Sequence, residues 1–350
     1  MSRLLRWFKR LAIMLGLLIV SLLAPVAYVE IMCRGETVAD DHVPLLPPEH
    51  HRNEARTFLT YPEWHIVHAY DDYAKVIATH DPHHFAYLAS ITRFWTSLCA
   101  LSARSARHGG FTGETKSMVY VIGVSFNLEM IAKAAYEETV GRLFAVLRGP
   151  ERVPLDDLSA RQAADYAVFL RQTPWYKWDF DADTDALRAQ GTKAPRDRER
   201  RFALGVEYRF KAMYARAIAA MVATVGADET TLRMIVTDLD PDDLSGFDGI
   251  AVLAERPQGV EIETPRYRRL TGLLADLARR GGNFVEIAGN DDILLTALSE
   301  EPTIEGVLHS FPRQGYGDVR HLIAVKVEDL AETLRGLEAR NLRLEHIHDY

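Results

Sequence analysis

Cysteine is nearly absent from this chain, with two residues among 350. Two thiols cannot form a disulfide scaffold or a four-cysteine zinc site. The P-loop, HExxH, CxxCH and GxGxxG motifs are also missing, so the common nucleotide, zinc-protease, haem and dinucleotide signatures do not apply. Basic residues are fewer than acidic ones, 41 against 49, which gives a formal net charge of −8. That balance argues against general nucleic-acid binding, which needs a basic surface.

One long apolar run is present, at residues 11–29, and it contains no charge. A helix rises about 1.5 Å per residue, so this run covers most of a hydrocarbon layer about 30 Å thick. Residues 118–126 are the best rival and are far too short, so the sequence predicts one span. A cleaved signal peptide is the alternative, but cleavage after Ala27 would place Pro25 where a small, unconstrained residue is needed.

The charges around the apolar run predict its orientation. Basic residues precede it and mainly acidic residues follow it: Arg3, Arg6, Lys9 and Arg10, then Glu30, Glu36 and Asp41. The positive-inside rule therefore keeps the N-terminus in the cytoplasm and places the body outside it. We expect a single-pass protein of the cell (inner) membrane with a periplasmic body.

The two cysteines, Cys33 and Cys99, allow two interpretations. In an oxidising compartment they could form a disulfide, because disulfides persist there. Alternatively, Cys99 is a small buried apolar residue and Cys33 lies at the membrane interface. The sequence leaves both open.

The body divides into three parts by pattern. Residues 35–56 carry Pro44, Pro47 and Pro48 and predict an extended tether after the anchor of residues 1–34. Residues 57–226 have helical periodicity, and the capping-box pattern at residues 60–63 predicts a helix that begins at Tyr61. Residues 227–350 alternate strands with two amphipathic helices, which predicts an α+β domain of the ferredoxin-like type. No internal repeat is evident.

Three segments, TYPEWHIVHAYDDYA, GVSFNLEMIAKAAYEETVGR and TPWYKWDF, carry a resemblance to known sequences. They resemble an uncharacterised group of single-pass, membrane-anchored bacterial proteins. The resemblance implies the anchored architecture and no particular activity.

A polar strip occupies one side of the first helix of the body. At 100° per residue, four side chains that could hold a divalent metal or transfer protons share an arc of about 60°: Tyr61, His65, His68 and Asp72. The opposite side is apolar, so the strip also fits a solvated or partner-contacting face. Both interpretations stay open, and no other cofactor is predicted.

Four aspartates alternate in the segment DFDADTDALRAQ: Asp179, Asp181, Asp183 and Asp185. A calcium-binding EF-hand loop begins in this way, but Thr184 replaces its sixth-position glycine and Gln190 its twelfth-position glutamate. The alternative is an acidic segment whose carboxylates cap the following helix.

Four aromatic residues crowd the segment just before the aspartates: Trp175, Tyr176, Trp178 and Phe180. Such a cluster fits a membrane or protein contact, and it fits equally a hinge packed on the helical core. The leading hypothesis is a non-catalytic, membrane-anchored protein that docks a membrane or periplasmic protein, or binds an apolar ligand, through its helical domain. The second hypothesis is a metal-dependent enzyme that uses the polar strip.

Overall fold

The computed structural model describes residues 3–39, 41–52, 55–111, 113–225 and 230–349. The helices are α1 (Arg3–Met32), α2 (Ala55–Ile77), α3 (Tyr87–Ser105), α4 (Gly113–Tyr136), α5 (Arg142–Arg148), α6 (Pro154–Leu170), α7 (Phe180–Gln190), α8 (Pro195–Val225), α9 (Pro241–Ser245), α10 (Arg268–Arg279) and α11 (Val327–Gly336). The strands are β1 (Thr231–Thr237), β2 (Ala251–Arg256), β3 (Gly259–Pro265), β4 (Asn283–Ile287), β5 (Asp292–Ser299), β6 (His309–Pro312), β7 (Val319–Lys326) and β8 (Arg343–His348). The α+β class is thus confirmed, and the predicted boundary between residues 226 and 227 lies outside the described residues.

Helix α1 is the apolar N-terminal element that the sequence predicts. Arg6–Met32 is long enough to cross a membrane, and an 18-residue window within it has a mean hydropathy of 2.4. Its side chains are exposed over residues 6–21, whereas Val26 and Val29 pack against the body. A second stretch, Thr115–Arg148, is also long enough, and an 18-residue window within it has a mean hydropathy of 1.3. Core helices of soluble proteins meet the same length and hydropathy criteria, so the expectation of one span stays a prediction.

The end of α1 is fixed to the helical domain at two places. Cys33 and Cys99 form a disulfide with an S–S distance of 2.05 Å, so the structure pairs the two cysteines that the sequence left open. Nearby, Lys116 and Tyr120 of α4 donate hydrogen bonds to the Glu30 carboxylate at 3.2 and 2.6 Å. The anchor and the body therefore meet in a defined contact.

The described part of the predicted tether packs on the body instead of leading away from it. The Val38 N–H donates to the Ala106 carbonyl at 3.0 Å, and Leu46 is buried. The Glu286 carboxylate accepts hydrogen bonds from the N–H groups of Leu45 and Leu46 at 2.6 and 2.9 Å. Prolines favour extended backbone, but extended backbone can pair with a neighbour as readily as cross solvent, so the prediction of a free tether is wrong.

Helix α2 is the central element of the helical domain and packs against α3, α4 and α6. It begins at Ala55 and contains Pro62, so the predicted start at Tyr61 is wrong. The Thr60 hydroxyl donates to the Thr57 carbonyl within the helix at 2.9 Å and does not cap it.

The eight strands form two four-stranded sheets that repeat one topology within residues 230–349. The strand orders are β2-β3-β1-β4 and β6-β7-β5-β8, with antiparallel neighbours throughout and a helix between the third and fourth strands of each set. Met234 pairs with Ile262 and Ile287, as Leu295 pairs with Ile323 and Ile347. The register shift recurs as well, after Ile235 in one sheet and after Thr296 in the other.

The sequence carries a faint trace of this duplication. Residues 270–287 align with residues 330–347 without a gap, and the identical pairs are Leu270/Leu330, Leu274/Leu334, Leu277/Leu337, Arg280/Arg340 and Ile287/Ile347. These are mainly core positions of a helix and the strand after it. The expectation of no internal repeat is therefore wrong at the level of topology, although the repeat is barely visible in the residues.

The largest hydrophobic core lies between the two sheets and is filled by α10 and α11, with Met234, Leu295, Leu274 and Leu330 among its members. The outer face of the second sheet packs against α2, where Phe58 and Tyr61 join Leu294, Phe311 and Leu322 in one cluster. Helix α2 therefore links the helical domain to the α+β domain, and its polar strip faces the second sheet.

Candidate functional site

The predicted polar strip on α2 is enclosed in the interface with the second sheet. Tyr61, His65, His68 and Asp72 are each at most 6% exposed, so the interpretation as a solvated face is wrong. They meet polar side chains from the second sheet and the turn after β6. We call the combined set the polar cluster: Tyr61, His65, His68, Asp72, Arg313, Arg320, Glu345, His346 and His348.

The charge of the cluster centres on Arg320 of β7 and Glu345 of β8. Arg320 Nη2 donates to Glu345 Oε1 at 2.6 Å, and the guanidinium is 1% exposed. Strand β5 pairs Thr296 with His346 and then Ala297 with Leu344, so Glu345 is the extra residue of a β-bulge. Burial alone would raise the pKa of Glu345, but Arg320 outweighs it and lowers that pKa.

Asp72 binds the turn that follows β6. The Gln314 N–H donates to Asp72 Oδ2 at 3.0 Å, and Arg313 Nε lies 3.9 Å from Oδ1. Burial raises the pKa of Asp72 to about 6, although Arg320 acts in the opposite direction. Arg313 also donates to Asp71 at 3.2 Å, so two neighbouring carboxylates of α2 hold the α+β domain.

Burial lowers the pKa of each of the four histidines of the cluster. His65 Nε2 lies 3.1 Å from the Ser90 carbonyl oxygen, and the ring of His346 stacks on Trp64 with 3.5 Å between centroids. Burial, with Arg320 adding to it, lowers the pKa of His65 to about 3. Burial also lowers the pKa of His348 to about 3, against the opposing effect of Glu345.

Buried polar atoms without a hydrogen-bond partner collect in this cluster. Native proteins pair nearly all such atoms, through protein or water. Among the described residues, the unpaired atoms of the cluster are Tyr61 Oη, His65 Nδ1, His68 Nε2, Asp72 Oδ1, Arg313 Nε, His346 Nε2 and both ring nitrogens of His348. The interface therefore buries more polar atoms than its own side chains pair.

The geometry does not place these residues around a metal. Within the described ranges, no group of three or more His, Cys, Asp or Glu side chains has an arrangement that could hold a metal ion. His65 points to a backbone carbonyl and Asp72 to a backbone N–H. The metal-dependent enzyme stays a prediction without a matching site in this part of the chain.

A second polar group surrounds a small cavity inside the helical domain. Lys211 of α8 lies 2.9 Å from Glu129 and 3.0 Å from Glu207, and it donates to the Tyr70 hydroxyl at 2.7 Å. Burial alone would raise the pKa of Glu207, but Lys133 and Lys211 lower it to about 2. The cavity of about 30 Å³ has room for one or two waters and none for a substrate.

The four alternating aspartates lie at the start of α7 and within it. Alternate positions diverge by about 200° around a helix, so carboxylates that would converge in a loop point to different sides. Asp179 accepts a hydrogen bond from the Ala182 N–H at 2.9 Å and caps α7. Asp181 accepts a hydrogen bond from Arg216, Asp183 from Trp178, and Asp185 from Arg188. The structure thus gives the capping alternative.

The aromatic segment before α7 belongs largely to the core of the helical domain. Phe180 is buried, and Trp178 packs against Tyr166 and Phe169 while its Nε1 donates to Asp183 at 2.7 Å. Trp175 and Tyr176 are half-buried against the same core. This arrangement favours the hinge interpretation over an open contact surface.

Exposed apolar side chains gather instead on α4 and α8. We call this surface the apolar face and define it by Met118, Val121 and Leu128 of α4 with Phe202, Val206, Phe210 and Met213 of α8. Ion pairs join the two helices side by side, Glu129 with Lys211 and Lys133 with Glu207, both at 2.9 Å. Exposed apolar residues continue beyond α4 with Leu143, Val146 and Leu147 of α5.

Four of the nine residues of the polar cluster were predictable from the sequence, and the five from the α+β domain were not. Arg320, Glu345, His346 and His348 lie on β7 and β8, more than 240 residues after α2. The one available signal is the pair His346 and His348, since alternate residues of a strand share a face. Comparison of the chain with known protein families, curated proteins and solved structures finds no match. Function must therefore be argued from this geometry.

Proposed function

We propose that the protein is a membrane-anchored, periplasmic docking protein without catalytic activity, and that the apolar face is its docking surface. The observation that carries the proposal is the position of this face on α4, which is fixed to α1 through Glu30, and on α8, which is ion-paired to α4. Large exposed apolar surfaces are uncommon on soluble proteins and mark sites of interaction. The polar cluster is buried between α2 and the second sheet, and we assign it the structural role of joining the two domains.

Two features support the periplasmic location. Four basic residues precede the apolar run of α1, and this bias keeps the N-terminus in the cytoplasm. The Cys33–Cys99 disulfide lies just beyond the opposite end of α1. Disulfides are rare in the cytoplasm and persist outside it.

We also propose that each sheet with its helix is a ferredoxin-like unit. Read from the last strand of each unit, the strand order is fourth, first, third, second, and a helix connects the third strand to the fourth. These are the order and crossover of a split β-α-β motif. Helices α3, α4 and α6 around α2 likewise support a bundle-like helical domain.

Site-specific photocrosslinking in cells tests the docking surface. A benzophenone amino acid replaces Phe210, which is 62% exposed on the apolar face, in the full-length protein. The matched control replaces Leu253, which is 42% exposed on β2 of the α+β domain. We expect an adduct with whatever covers the face, protein or lipid, at position 210 and none at position 253. Absence of an adduct at both positions would remove the docking function.

A further inference from the structure

The direction of α4 places the apolar face beside the membrane. Helix α3 runs alongside the end of α1, because Cys33 bonds to Cys99 and, farther on, Val38 bonds to Ala106. Helix α4 follows α3 after a short connection and packs back along it, where Trp95 Nε1 donates to Asn127 at 2.9 Å. Helix α4 therefore runs antiparallel to the end of α1.

The contact at Glu30 fixes the level at which α4 meets the membrane. Glu30 is the first acidic residue after the apolar run and binds Lys116 and Tyr120 of α4. From Tyr120 onward, α4 returns in the direction of the membrane-spanning part of α1. Val26 and Val29 of α1 belong to the apolar cluster that also contains Phe126, and α1 contacts α4 directly. Because α4 runs antiparallel to α1, its part beyond Tyr120 continues beside the end of the span.

The exposed side of α4 has the composition of a lipid contact. Met118, Val121 and Leu128 lie on it, and Val121 is 63% exposed. Ser125, Ala132 and Ala135 lie between and beyond them, so no charged side chain interrupts this side from Met118 to Ala135. Contact with lipid acyl chains would remove this apolar area from water, and removing apolar area from water is favourable in free energy.

Helix α8 extends the same surface with an amphipathic pattern. It runs antiparallel to α4, since Lys211 meets Glu129 and Glu199 meets Tyr136. Its apolar strip falls within an arc of about 80°, and the exposed arginines Arg198 and Arg209 flank one edge of that strip. Apolar side chains beside basic ones are typical of a helix surface that contacts an anionic membrane.

We propose that the lipid bilayer itself covers the apolar face, so that the helical domain is partly immersed in the outer leaflet of the cell membrane beside α1. This inference rests on the proposed function, because it names the partner that the docking surface contacts. The body then lies on the membrane in one orientation, held by α1, the Glu30 contact and the disulfide. The α+β domain remains in water.

Spin labels on single cysteines test the inference in the full-length protein in nanodiscs that contain anionic lipid. The native cysteines are both in the disulfide, so Val121→Cys, Leu128→Cys and Phe210→Cys each add one reactive thiol. Leu253→Cys is the matched control in the α+β domain. We expect the ratio of oxygen to water-soluble nickel collisions to be several-fold higher at the three face positions than at position 253.

The other results separate this inference from the proposed function. Low collision rates with both reagents at positions 121, 128 and 210 would mean that protein covers the face. The bilayer contact would then be wrong, and docking would stand. Nickel collisions equal to those at position 253 would mean that the face meets water, and both proposals would fail.

Discussion

The Glu345 carboxylate is the partner of a guanidinium that has almost no contact with solvent. Replacing Glu345 with Gln preserves the shape of the side chain and removes its charge, which leaves Arg320 uncompensated. Breaking a buried pair from one side costs about 3–5 kcal/mol. We expect the free energy of unfolding to fall by about that amount, measured by denaturation of the full-length protein in detergent.

Arg343 provides the control on the same strand. Its exposed guanidinium lies 3.1 Å from Asp318, and exposed ion pairs contribute about 0–1 kcal/mol. Arg343→Ala should therefore leave the free energy of unfolding nearly unchanged. If Glu345→Gln and Arg343→Ala lowered the free energy of unfolding equally, the buried pair of Arg320 and Glu345 would be contradicted.

Asp179 allows the capping and calcium interpretations to be separated. Asp179→Ala removes the hydrogen bond to the Ala182 N–H, and loss of such a cap costs about 1 kcal/mol. We expect Asp179→Ala to lower the stability by this amount in thermal unfolding experiments, both with and without calcium. Asp185→Ala, which removes an exposed pair with Arg188, is the control. A calcium-dependent rise in unfolding temperature that disappears in either variant would support a calcium site instead.

The residues of the α2 strip were predictable from helical periodicity, but their surroundings were not. Periodicity shows which side chains share a face, and says nothing about what covers that face. Here the cover is a sheet whose polar residues come from β7 and β8. A polar face is normally solvated, so only the tertiary structure could show that His65 and Asp72 are buried.

At the scale of elements, the α2–sheet interface should weaken in acid. The pKa values of His65 and His348 are lowered to about 3 in the folded protein, while an unfolded histidine titrates near pH 6.5. Between pH 6.5 and 3 the unfolded chain therefore binds more protons than the folded protein. As the pH decreases through this range, the free energy of unfolding decreases. Asp72, with its pKa raised to about 6, opposes this below pH 6. Two strongly shifted histidines outweigh one moderately shifted carboxylate.

Removing the two titrating rings should flatten this pH dependence. Each histidine contributes up to about 1.4 kcal/mol per pH unit where the unfolded chain is protonated and the folded one is not. The double variant His65→Gln/His348→Gln should lose up to twice that slope between pH 6 and 4, measured by denaturant unfolding. His84→Gln, at an exposed position, should keep the native slope. An unchanged slope in the double variant would contradict the assignment.

The strands were largely visible in the sequence, but their division into two sheets was not. Short runs rich in β-branched and other apolar residues locate β1, β4 and β5, while the choice of neighbours depends on distant pairing such as Leu295 with Ile323 and Ile347. Likewise, the prolines of residues 44–48 signal extended backbone without revealing that Glu286 binds it.

At the scale of the whole molecule, the disulfide decides whether the body has a fixed orientation at the membrane. It closes a loop with a sequence separation of 66 residues, for which the chain-entropy model gives about 4 kcal/mol of stabilisation. The double variant Cys33→Ser/Cys99→Ser should lose up to that free energy of unfolding. It should also loosen the contact between α1 and α4, seen as faster motion of a spin label at Leu128→Cys.

The same thiols report the compartment of the body. In intact cells, a membrane-impermeant maleimide should label neither Cys33 nor Cys99 until an impermeant reductant opens the disulfide, because both lie beyond the outer end of α1. A variant with Ser2→Cys is the control, since its thiol should stay unlabelled after reduction and react once the membrane is permeabilised. Labelling of Ser2→Cys in intact cells would reverse the orientation, and the apolar face would then meet the cytoplasmic leaflet. Reaction of Cys33 without reduction would show that the disulfide does not form. The geometry that directs α4 back to the bilayer would then lose its support.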